Sequence, residues 1–185
     1  MAELTAADVA TFTGGRLANN STTTDLLNAA LAAARRYVGW SVSPVATVEL
    51  TVDGSGGRVL SLPTMQLLAV TELVEDEVEW DVADLRWSKP KGCVYKRSGA
   101  CWTCHAGAIT ITISHGYTEA EAADWRRAIL RLVDAMSYET VTSRTDPALK
   151  REKVDDTEQE WFNTLISTDE RLAATFSQFR ILPSP

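Results

Sequence analysis

The stretch AITITISHGYTEAEAADWRRAILRLVDAM, residues 108–136, changes its hydrophobic period halfway along. Ile109, Ile111 and Ile113 alternate with Thr110, Thr112 and Ser114, the pattern of a strand with one buried face. After Gly116 the spacing lengthens. Ala122, Trp125, Ile129, Leu132, Val133 and Met136 then fall on one stripe of a long helix, predicted from about Thr118 to Val141. Thr118 and Glu121 stand three residues apart at its start, the spacing of a capping box. A strand that feeds directly into the longest helix points to an α+β fold.

Upstream, two further helical patterns complete a helical frame. Ala6 to Thr11 makes a short N-terminal helix with Leu4 and Val9 on its apolar side, ended by Gly14 and Gly15. A second helix is predicted over about 24–39, with Leu27, Leu31, Ala34 and Val38 at helical spacing and Gly39 as its stop. Its alanines form a narrow face against which a neighbour can pack closely. Pro44 breaks the pattern and the period becomes two. Val48, Leu50 and Val52 alternate with polar residues, and DGSGG (53–57) reads as a hairpin turn with RVLSLP leading out of it. Further short strands are expected at 67–74, 78–80, 85–87 and 93–96. Residues 46–115 are thus expected to form a small antiparallel sheet inserted in the helical frame.

Beyond Val141 the composition shifts. TSRTDPALKREKVDDTEQE (142–160) is charged and poor in large apolar residues. It is followed by Trp161, Phe162, Leu165 and Ile166, and then by a short helix opening near Ser167–Glu170, with Leu172, Phe176 and Phe179 as anchors. The division expected is a core of residues 1–141 and an extended C-terminal arm of 142–185. An arm of this kind suits either docking on a neighbouring surface or folding back on its own domain.

The chain has 185 residues, of which 45% are hydrophobic and 23% charged, and its net charge is -7. Such a balance supports a real core and disfavours an electrostatic grip on nucleic acid or an anionic membrane. No apolar run is long enough to cross a bilayer. The N-terminus lacks the basic start and apolar centre of a secretory signal, so a cytosolic compartment with reduced thiols is expected.

Cys101, Cys104 and His105 spell C-x-x-C-H within SGACWTCHAG (98–107). The pattern attaches c-type haem in exported proteins, but no export signal accompanies it here. In a thioredoxin-like dithiol the first cysteine opens a helix, whereas β-prone HAGAITITI follows here. A zinc site would draw on Cys93, Cys101 and Cys104 with His105 or His115, provided the flanking strands form a hairpin. The remaining reading is a hairpin tip that happens to carry thiols. DGSGGR lacks the lysine and hydroxyl of a phosphate loop. The acids from Glu72 to Asp81 read as a solvated face on alternating strand positions. With two histidines in all, no hydrolase constellation is recognisable.

The order of pieces — TFTGGRL, ARRYVGWSVSPV, VELTVDGSGGRVLSLP, a variable β region, ITISHGYTEA and the long helix — resembles the head-to-tail adaptor (connector) proteins of long-tailed bacteriophages, especially those of actinobacteria. Residues 36–63 and 109–140 carry the resemblance best, and LKREKVDD with STDERLAATFSQFRI matches the family's C-terminal arm and closing segment. The resemblance implies a structural virion protein and no enzyme, with no cofactor. It implies a ring, typically of twelve copies, beneath the portal protein at the virion neck, made in the host cytoplasm. Such a ring extends the DNA channel, lets genomic DNA pass without sequence-specific binding, and offers a platform to the stopper or another head-completion or tail protein. Candidate contacts with the portal or a neighbour are Lys150, Arg151, Trp161, Phe162, Leu165, Phe176, Phe179 and Arg180. CWTCH falls where the family is expected to vary, which favours the hairpin tip; a zinc-stabilised module or another neck protein, the stopper or tail terminator, are the alternatives.

Overall fold

The computed structural model describes residues 3–142, 166–167 and 169–181. They divide into two compact units: a helical unit drawn from the chain up to Gly39 and from Ala122 onward, and a β unit over Trp40–Glu121. The fold class is α+β, as the change of period at Gly116 predicts.

The helical unit holds α1 (Ala6–Phe12), α2 (Ser21–Val38), α3 (Ala123–Thr142) and α4 (Glu170–Ser177). Thr5 and Asp8 form a reciprocal capping box on α1. α2 starts a few residues before its apolar stripe because Asn20 caps it, its side chain accepting from the Thr23 N–H at 2.9 Å. It stops at Gly39, whose φ of 87° suits a residue without a Cβ. The box at Thr118 and Glu121 forms as expected: the Thr118 N–H donates to Glu121 Oε2 at 3.0 Å, and the Glu121 N–H to Thr118 Oγ1 at 3.3 Å. It closes a turn rather than the first turn of α3, and helical bonding begins with the Arg126 N–H on the Ala122 carbonyl. The predicted stripes face inward. Val9, Leu27, Ala34, Val38, Trp125, Ile129, Leu132 and Val133 are buried. Glu3 is buried among them, accepting from Trp125 Nε1–H and from Arg35 at 2.8 Å. Burial raises its pKa despite both donors.

The β unit contains two antiparallel sheets rather than one. The larger has strand order β1-β7-β3-β4, from Ala46–Val52, Ile109–His115, Leu67–Glu75 and Val78–Glu79. The smaller has order β2-β6-β5, from Leu60–Ser61, Cys93–Lys96 and Leu85–Ser88. The core between them contains Leu67, Leu73, Ile109, Ile111 and Ile113 from the first sheet, and Leu60, Leu85 and Val94 from the second, with Trp102. Two expectations are corrected here. DGSGG is not a hairpin turn: β1 pairs along its whole length with β7, from Ala46↔His115 to Val52↔Ile109, while β2 pairs with β6 in the other sheet. A glycine-rich loop permits a hairpin without imposing one, and the apolar alternation of β1 finds its match in the three isoleucines of β7. Nor is CWTCH a hairpin tip, because β6 and β7, which flank it, belong to different sheets. No helix among the described residues is long and apolar enough to cross a membrane.

Candidate functional site

The chemistry-bearing residues of the β unit gather where the segment from β6 to β7 crosses between sheets. Its backbone runs alongside the DGSGG loop. The Gly54 and Gly56 N–H groups donate to the carbonyls of His105 and Thr103 at 2.9 and 2.8 Å, and the Trp102 N–H donates to Gly57 at 2.7 Å. A Cβ on Gly54 would lie 2.1 Å from the Thr103 carbonyl oxygen, so this close approach requires glycine. The Gly107 N–H is held by the Asp53 side chain at 2.7 Å. The glycines of DGSGG therefore serve an approach between two loops.

Beneath this ladder lies a buried charge pair absent from the sequence reading. Lys96 Nζ stands 2.6 Å from Glu75 Oε2, with both side chains less than a tenth exposed. It also donates to the Cys101 carbonyl at 3.0 Å. The rings of Trp80 and Trp102 lie 4.3 and 4.6 Å from the ammonium, within cation–π range. The other Glu75 oxygen accepts from the Thr103 N–H at 2.7 Å. The acid on β3, the base on β6 and the crossing segment are thus joined through one desolvated cluster, and Glu75 is not part of a solvated face. Nearby, Asp76 accepts from His105 Nδ1 at 3.0 Å, and His105 and Thr103 together hold the Asp76 carboxyl below its ordinary pKa.

The cysteines do not converge. Cys101 and Cys104 are free and exposed. Cys93 lies on β6, with its Sγ 3.3 Å from the Lys91 carbonyl oxygen and 3.8 Å from Ser61 Oγ. His115 ends β7, buried and tilted against Trp40 with ring centroids 6.1 Å apart. Its Nδ1 has no hydrogen-bond partner among the described residues, and burial lowers its pKa. No group of three or more His, Cys, Asp or Glu side chains among the described residues is placed to hold a metal ion. The zinc set of Cys93, Cys101, Cys104 and His105 or His115 is therefore not assembled: the hairpin it required does not exist.

Of the candidate contact residues, Lys150, Arg151, Trp161, Phe162 and Leu165 lie outside the described residues. Phe176 is fully buried in its own helical unit, edge-on to Trp125 at 5.2 Å and 6.4 Å from Tyr37. Phe179 is half-buried with its ring 5.7 Å from Trp125, and exposed Arg180 lies over Tyr37 at 5.1 Å. The Ile181 N–H then donates to the Val38 carbonyl at 3.0 Å. The closing segment, residues 169–181, packs within its own unit, while the charged part of the expected arm lies outside the described residues. The signal was present in the sequence, since Leu172, Phe176 and Phe179 have ordinary core spacing.

The architecture is a helical frame interrupted by a two-sheet β unit. No protein-family model and no curated protein sequence matches the chain. Solved structures share its fold from end to end. A chain in the neck of a native gene transfer agent (GTA) particle, computed with C12 symmetry, matches with a TM-score of 0.62 at 16% identity, covering 97% of this chain and 91% of that one. A chain in the neck of the empty GTA particle, computed with C6 symmetry, matches at 0.61 and 18% identity, covering 99% and 92%. A chain of the native GTA virion matches at 0.57 and 17% identity, covering 97% and 92%. At such identities the likeness is one of fold.

Proposed function

We propose that this chain is a structural neck protein, the head-to-tail adaptor of a long-tailed phage of the actinobacterial type. One observation carries the reading: its fold runs end to end with chains found in the necks of GTA particles. On this reading, copies made in the host cytoplasm close into a ring of twelve beneath the portal protein. The ring extends the DNA channel and presents a platform to the stopper or another tail-side protein, and the chain catalyses no reaction. The net charge of -7 suits a channel along which phosphates slide without being held. Native mass spectrometry of the purified chain, alone and with its candidate portal ring, tests it. A metal-free chain that joins the portal in ring stoichiometry supports the adaptor. A chain that carries stoichiometric zinc or haem and ignores the portal overturns it.

A further inference from the structure

The β unit is electrically divided by sheet. The four strands of the larger sheet contain no Lys or Arg, and the three strands of the smaller sheet contain no Asp or Glu. On the outer face of the larger sheet, exposed Glu49 and Glu72 flank Thr112 in register. Glu72, Glu79 and Asp81 line a depression of 410 Å³ together with Thr71 and Trp80. On the outer face of the smaller sheet, exposed Arg86 stands opposite Tyr95, with its guanidinium 5.8 Å from the ring. The strand continues into Lys89–Lys91, a short 3-10 turn with both lysines exposed. Glu49, Glu72, Glu79, Arg86 and Lys91 make no ion pair with another described residue.

The two sheets share one buried core, so these exposed charges lie on surfaces turned away from it. We propose that the acidic face of one copy docks on the basic face of the next, a head-to-tail contact that repeats around a ring. The occupant of each face is a second copy because one chain carries both complementary surfaces, each with charges that form no ion pair among the described residues. A contact between two different faces of identical chains propagates, and closes when its rotation divides the circle. The proposal rests on the ring reading and names the surfaces that build it. The same pairing of signs occurs inside the unit, where Lys96 of the smaller sheet meets Glu75 of the larger.

Charge reversal tests it. E49K/E72K/E79K turns the acidic face net basic, with only Asp81 left negative, and R86E/K91E turns the basic face net acidic, with only Lys89 left positive. These are surface positions, and circular dichroism and the thermal midpoint establish that each variant folds. The expected result, by native mass spectrometry and sedimentation on full-length chains with and without the portal ring, is that neither variant assembles alone. Like charges then oppose each other at every contact, which weakens association about a hundredfold or more. Mixing the two variants restores assembly, with the copies alternating. Assembly of the unaltered chain weakens as salt rises from about 0.05 to 0.5 M, since the Debye length shrinks several-fold. If the unaltered chain assembles and each variant alone does so equally well, the faces are not the contact and this inference fails while the ring reading stands. The same holds if the basic face proves to bind the portal or DNA instead, with ring formation intact. An unaltered chain that never assembles, even on the portal, overturns the ring reading and this inference together.

Discussion

Lys96 shows how much can hang on one side chain. Its ammonium and the Glu75 carboxylate are both removed from water, and each depends on the other. Lys96→Met keeps the stem but leaves Glu75 charged and buried, which is expected to cost about 3–5 kcal/mol. Lys96→Met combined with Glu75→Gln removes both charges and leaves an amide oxygen for the Thr103 N–H, so most of that loss should return. Urea unfolding of the single and double variants measures the coupling. A double variant no better than Lys96→Met would show that the two residues act separately. His115 gives a pH dependence whose sign follows from its environment. Burial depresses its pKa below the ordinary 6.5. Below that pH the unfolded imidazole takes a proton that the folded one refuses, so the unfolded state binds more protons. Stability is therefore fully present above about 6.5 and falls as the pH drops, until the buried ring itself protonates. Glu3, with a raised pKa, works in the opposite sense at lower pH, its folded state gaining as the carboxyl protonates. His115→Phe retains a ring against Trp40, and is expected to lose less stability than the parent between pH 7.5 and 5.5. Equal losses would remove His115 from the account.

At the scale of elements, the two units owe their stability to different geometry, and this can be probed separately. α4 has only eight residues and is held by Leu172 and Phe176, both buried. Helices this short are not stable by propensity, so tertiary packing holds this one. Phe176→Ala should cost about 3–5 kcal/mol of the helical unit's stability. Hydrogen exchange is expected to quicken at α4 and at the Ile181 amide, with β1 and β7 unchanged. Uniform acceleration through both units would show that they unfold as one. The stripes of α2 and α3, the N-cap at Asn20 and the Gly39 stop are local devices, and each could be read from neighbouring residues. The partners of β1 and β2 could not. Both choices are pairings across tens of residues, decided by which apolar face completes the core.

For the whole molecule, the surfaces rather than the thiols carry the proposed role. Cys101 and Cys104 are free and exposed, and no metal-binding group gathers around them among the described residues. Replacing both with Ser should leave the thermal midpoint within the equivalent of about 0.5 kcal/mol, as for other surface changes away from buried partners. It should also leave assembly on the portal unchanged. Failure to assemble, with the fold intact, would return CWTCH to the centre of the function.

By itself, the sequence determined the class of fold, the buried stripes of the helices, the strand of alternating isoleucines and the Gly39 stop. These follow from periods and caps that act within a few residues. Only the tertiary structure decided that there are two sheets, that β1 pairs with β7, that Lys96 and Glu75 share one buried site, and that the cysteines stand apart. The physical reason is that a strand's local pattern states which face is buried but not what will cover it. That choice belongs to the packing of the whole core.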